Sequence, residues 1–158
     1  MKPEAEPLQP ISPRSAARLA AVQALYQMDL AQTDLNDVIA EFNALRFGSR
    51  AEDPAVQGAD RSFFADILKG VVRRQREIDP LIDHQLAQGW RLTRIDSILR
   101  ATLRAGTLEL IERLDIPARV VITEYVNVAH AFLEGDEPRV VNGVLDKLAR
   151  RARPTEFQ

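Results

Sequence analysis

Arg139-Val140-Val141-Asn142-Gly143-Val144-Leu145-Asp146-Lys147 is an apolar helical pattern with an Asn-Gly pair set inside it. Val141, Val144, Leu145 and Leu148 recur at three- and four-residue steps, the period of a helix buried along one face. Glycine in a helix interior costs about 1 kcal/mol relative to alanine. A glycine kept there is expected to gain a close approach by another helix or a ligand, so Gly143 reads as a packing residue. Asn142 lies one position earlier, about 100° around the helix, and is free to bridge two helices or to read a base edge.

The same steps recur through most of the chain, and no stretch alternates with period two over a strand length. The chain therefore reads as all-α, a compact bundle of about seven helices in one domain over residues 12–153. Residues 1–11 hold Pro3, Pro7 and Pro10 and read as a mobile tail. Ser12-Pro13 has the form of an N-cap followed by proline in the first turn, opening a helix over roughly 13–32. Asp34 caps a second helix with Leu35, Val38, Ile39, Phe42 and Leu45 on its apolar face. Residues 48–60 read as an exposed loop. Asp60 caps a third helix, and Asp79-Pro80 restarts the chain in a short fourth helix ending at Gly89. Thr93 caps a long fifth, Pro117 begins the sixth, and Pro138 begins the seventh.

Composition narrows the function. With 46% apolar residues among 158 the chain can build an ordinary core, and it has no cysteine, so disulfides and thiolate metal sites are excluded. His84 and His130 lack ligand spacing. No apolar run approaches the ~20 residues of a membrane span, and the N-terminus lacks a signal-peptide core, which places the chain in the cytoplasm. Nothing resembles a nucleophile elbow, a phosphate-binding glycine loop or a metal cage, so neither an enzyme nor a cofactor is expected. The 21 basic and 23 acidic side chains give a net charge of -2, whereas an autonomous nucleic-acid binder is usually basic. A nucleic-acid role would rest on a local patch or a basic partner.

Several residues carry two readings. Arg14 and Arg18, four apart, share a face in the first turns of helix one. They are either solvated or, beside free N–H groups at a helix start, suited to a phosphate. Tyr26 is either core or an amphipathic ring at the edge of a groove, offering a base a stacking face. Asp136 either caps or precedes the last helix. Arg73-Arg74-Gln75-Arg76 and Arg150-Arg151-Ala152-Arg153 read as capping charge at helix C-termini. His130 reads as a satisfied, partly buried histidine and His84 as solvated.

Four blocks then occur in a recognisable order: Ala21-Val22-Gln23-Ala24-Leu25-Tyr26, then Gly89-Trp90 through Leu99-Arg100 and Leu103 to Glu109-Leu110, then Asp115-Ile116-Pro117 through Ile122-Thr123-Glu124-Tyr125-Val126, and Val141-Asn142-Gly143-Val144-Leu145-Asp146. Together they resemble the NusB family of bacterial transcription antitermination factors. The resemblance implies two packed helical subbundles and no catalysis. It implies pairing with the small-subunit ribosomal protein NusE and binding of boxA RNA in nascent transcripts, especially those of ribosomal RNA operons. A larger complex with other Nus factors and RNA polymerase then resists termination. Carried over by position, it marks Arg14, Arg18, Tyr26 and Asp136 as RNA-proximal, and Asn142 lies in its last block. The chain departs from the family at Ser15, Ala16 and Ala17, where basic residues often cluster, and at Val140, where many members carry phenylalanine. Both departures imply weak RNA binding by the isolated chain. The different-class alternative is a helical adaptor that binds protein only. The oligomeric state stays open, a homodimer included.

Overall fold

The computed structural model describes residues 11–48 and 54–158. Among them it contains six α-helices and no strand: α1 (Pro13–Ala31), α2 (Leu35–Leu45), α3 (Arg61–Gln85), α4 (Ser97–Glu112), α5 (Ala118–Phe132) and α6 (Glu137–Ala152). A 3-10 turn (Pro154–Phe157) follows. The tail expected over residues 1–11 lies, but for Ile11, outside the described residues. No helix among the described residues is long and apolar enough to cross a membrane.

Local chemistry starts the helices much as expected. Ser12 Oγ accepts from Ser15 N, Asp34 from Asn36 N and Asp60 from Phe63 N, each meeting a first-turn donor that has no partner within its helix. α4 starts later than expected. Its cap is Asp96, accepting from Ile98 N and Leu99 N, whereas Thr93 is exposed in the preceding loop.

The expected third and fourth helices adjoin as two segments of α3, and the kink between them falls at Arg74 and not at the expected Asp79-Pro80. α3 leaves helical dihedrals at Arg74 (φ -112°, ψ 15°) and continues through Pro80 to Gln85. Proline in a helix interior costs ~3 kcal/mol. Here Ile78 and Ile82 are fully buried, and Arg104 grips Asp79 with two bonds of 2.9 Å. Tertiary packing thus carries the second segment across Pro80. Arg73-Arg74-Gln75-Arg76 straddles the kink, where the first segment of α3 ends. Arg73 and Arg74 both reach Glu112 of α4.

α4 is the central helix. It packs against α1, α3, α5 and α6, and even Thr102, Thr107 and Glu109 on it are buried. On one side α1, α2 and α3 enclose Phe42, Phe47 and Phe64, with the Phe42 and Phe64 rings stacked at 5.2 Å. On the other side α5 and α6 complete the second subbundle. The 48–60 segment is not simply exposed: Val56 and Ala59 sit in the core.

Close approach falls on other glycines than the one expected. A Cβ on Gly106 would stand 2.8 Å from Leu145 Cδ1 and 3.3 Å from Tyr125 Cδ2, and one on Gly70 would stand 2.5 Å from Leu108 Cδ2. A Cβ on Gly143 would meet nothing within 4 Å. The reason is angular. Gly143 is two residues from both Val141 and Leu145, about 200° around the helix from each, so it lies opposite the buried stripe.

Candidate nucleic-acid interface

Arg18 is 3% exposed, which corrects the surface position expected for it. Its Nε and Nη2 each donate to Glu109 at 2.9 Å, and Tyr125 Oη donates to the same carboxylate. Glu109 and Tyr125 are themselves fully buried. A buried carboxylate is tolerable only when paired and fully hydrogen-bonded, and this one ties α1, α4 and α5 together. Burial alone would lower the Arg18 pKa, but Glu109 outweighs it and leaves the group above its ordinary value. Burial first, and then the Glu109 charge, push the Tyr125 phenol well above its ordinary range. Arg18 is therefore structural and offers no guanidinium to a phosphate.

The neighbours of Arg18 follow the same logic. Ser15 donates its hydroxyl to Glu124, and Ala16 and Ala17 are buried. The thinned basic segment is thin because these positions face the interior. Arg14 remains exposed, with its guanidinium 4.8 Å above the Phe63 ring. Arg113 covers the same ring at 5.2 Å and pairs with Asp115.

The other end of α1 is different. Tyr26, Leu30 and Ala31 open onto a cleft of 460 Å³, completed by Phe42 and Arg46 of the α2 end, Ile98 at the start of α4 and Phe132 at the end of α5. Tyr26 is half-buried, so neither earlier reading excludes the other: its body packs and its edge lines the cleft. Arg46 was not singled out from the sequence. It lies over the Phe42 ring at 5.3 Å and supplies the positive charge of the cleft. Beneath this end Asp29 holds Arg100 and Arg104, which fixes the α1–α4 contact.

The expected site residues do not converge on one groove. Ser15 touches Glu124, and Tyr26 shares a cleft with Phe132, so α1 and α5 run in the same direction. Asp136 follows Phe132 by four residues and therefore belongs to the Tyr26 end. Arg14 is twelve residues from Tyr26, about 18 Å along the helix axis. Asp136 and the start of α1 therefore border no common groove. Asp136 starts α6 without a side-chain capping bond, leaving its carboxylate exposed. Asn142, exposed as well, stands about 9 Å further along α6. His130 is exposed and not partly buried, and His84 is exposed as expected.

Arg153 was misassigned. It is 5% exposed and donates to the carbonyls of Glu109, Leu110, Arg113 and Ile116. Its guanidinium therefore closes the C-terminal end of α4 and the turn that follows it, and not the end of its own helix. Glu156 completes this latch by accepting from Ala118 N, a bond that, with Arg153, lowers its pKa. Sequence spacing holds no sign of such a contact.

The NusB family model matches residues 15–150. Over 144 residues the chain is 58% identical to the transcription antitermination protein NusB of Rhodopseudomonas palustris strain TIE-1, covering 91% of this chain and 83% of that one. Its structure is similar to T. maritima NusB, with a TM-score of 0.76 at 28% identity over 92% of this chain and 97% of that one. A structure of the antitermination factors NusB and NusE in complex with dsRNA gives a TM-score of 0.68 at 24% identity, over 88% and 97% of the chains. At that identity the likeness concerns the fold alone.

Proposed function

This chain belongs to the NusB family, whose members are transcription antitermination factors and not enzymes, and we propose that it pairs with NusE in the cytoplasm and binds boxA RNA of nascent transcripts, above all those of ribosomal RNA operons. The working unit is residues 12–153. The pair then joins the other Nus factors on RNA polymerase. The observation that carries the RNA part is the open aromatic cleft at the Tyr26 end, which has Arg46 on its wall and Asp136 beyond the end of α5. Single-stranded RNA is held by stacking of unpaired bases on such rings and by cations along the backbone. Tyr26 supplies the ring, Asn142 reads a base edge, Asp136 discriminates against misplaced phosphates, and Arg14 is a lone phosphate contact at the far end. Arg18 has no part in it.

The net charge of -2 and the burial of Arg18 favour a division of labour, in which a basic partner supplies most phosphate contacts. The same two observations support the second reading, a helical adaptor with no RNA contact. Titration of labelled boxA RNA with this protein, alone and with NusE, separates them. Weak binding alone and clearly tighter binding with NusE are expected. Equal affinity in both arms contradicts the division of labour. A complex with NusE whose RNA affinity equals that of NusE alone makes the adaptor reading the correct one.

A further inference from the structure

The chain has a single tryptophan, Trp90, and it is 44% exposed. It stands on the loop between α3 and α4, and this loop is pinned. Leu92 is 1% exposed, its N–H donates to Asp83 at 2.9 Å, and Arg100 donates to the carbonyls of Leu92 and Ile95. Backbone bonds from Trp90 N to Ala87 O and from Arg94 N to Arg91 O close it into turns. A loop held this firmly has ample means to turn its largest ring inward. It presents the ring to solvent instead, flanked by Arg91 and Arg94. Both arginines are exposed, and neither guanidinium has an ion-pair partner among the described residues.

These three side chains line a cleft of 320 Å³ together with Gly89, Asp96, Leu99 and Glu137. Asp96 is occupied as the α4 cap, which leaves Glu137 as the carboxylate of this cleft without a bond of its own among the described residues. Leu99 of this cleft follows Ile98 of the Tyr26 cleft, so the two openings flank the first turn of α4. Glu137, at the start of α6, lines the Trp90 cleft.

We propose that the Trp90 cleft is a second stacking site for an unpaired nucleotide of single-stranded RNA, with Arg91 and Arg94 on its flanking phosphates. The proposal rests on the RNA reading above and extends it from one ring to two. The chemistry matches the surface: an indole face accepts any base, two free guanidinium groups suit phosphate oxygens, and Glu137 can accept from an exocyclic amine. A rigid loop presents this surface without an ordering cost on binding.

Trp90 is its own reporter. The complex with NusE is titrated with labelled boxA RNA, following RNA anisotropy and tryptophan emission together, and the Trp90→Phe protein supplies the blank for emission from the partner. Quenching that tracks the anisotropy is expected. Trp90→Ala should weaken binding by about tenfold, and Trp90→Phe, which keeps a ring, should retain most of the affinity. Arg91→Ala with Arg94→Ala should lower the slope of log affinity against log salt by about 1.4, at roughly 0.7 per phosphate. Normal RNA binding with no quenching and an unaffected Trp90→Ala variant overturns this site and leaves the RNA reading standing. No contribution of this chain to RNA binding removes both. Quenching by NusE alone, unchanged by RNA, overturns the proposal in favour of a protein-docking face.

Discussion

The start of α1 and its end, about 18 Å apart at residues 14 and 26, handle polar groups in opposite ways. At the start Arg18 is locked on Glu109, Ser15 on Glu124, and Arg14 leans on Phe63. At the end Tyr26 lines an open cleft with Arg46, and Arg91 and Arg94 stand close by without ion-pair partners among the described residues. The first arrangement holds three helices together; the second leaves hydrogen-bonding and stacking capacity unused. Positive charge along a helix thus says little about nucleic acid until its partners are known.

The comparison breaks most visibly at Glu109. Glu109→Ala leaves Arg18 charged and buried, with Glu124 at 3.7 Å as its remaining carboxylate, and should destabilise the fold by about 3–5 kcal/mol. Chemical denaturation measures this. A loss near zero would mean that water reaches Arg18 and that this end is an open surface after all.

At the other end the large effect should fall on binding. Tyr26→Ala should weaken boxA binding by the NusE complex by about 1–3 kcal/mol, the worth of one stacked base, whereas Tyr26→Phe should bind nearly as the parent does. Equal affinity of Tyr26→Ala and parent, in a protein shown to be folded by circular dichroism, would make the ring purely structural.

The glycines sharpen the contrast between buried and open faces of one helix pair. Gly106→Ala must push Leu145 aside, and overpacking of about 1–3 kcal/mol outweighs the roughly 1 kcal/mol gained in helix propensity. Gly143→Ala gains the propensity alone and should stabilise by about 0.5–1 kcal/mol. Thermal melts of the two variants should shift in opposite directions, and a shift of the same sign would show that α6 is seated differently.

The smallest effect belongs to Arg14. Arg14→Ala should leave stability within about 0.5 kcal/mol and reduce the salt slope of RNA binding by about 0.7. An unchanged slope would leave Arg14 as a partner of Phe63 and nothing more.

Much of this was legible beforehand. The caps Ser12, Asp34 and Asp60 were, because a capping bond joins residues two or three positions apart. The all-helical class was legible as well, because burial of one face writes itself into the chain every three or four residues. Gly143 was misread because the apolar pattern around it was taken to include it, although its own angle places it opposite. Arg18 and Arg14 look alike in sequence, and what separates them is a glutamate 91 residues away. The Tyr26 cleft draws on four helices, and no local signal marks Arg46 or Phe132 as its walls. Trp90 did leave a trace, since a lone tryptophan that follows a glycine and is followed by arginines at 91 and 94 is an unusual place for a core residue.

Most of the helices, most of their starts and the family could be read from the chain alone, since each rests on short-range periodicity or on blocks of adjacent residues. Which arginines are free, which glycines are crowded and where α3 breaks and ends had to wait for the packed fold. Each of those depends on a partner far along the chain: Glu109 for Arg18, Leu145 for Gly106, Arg104 for Asp79, and four distant carbonyls for Arg153. The energy that settles them, several kcal/mol for a buried charge against a few tenths for a solvated one, is fixed by burial, and burial exists only once the helices have packed.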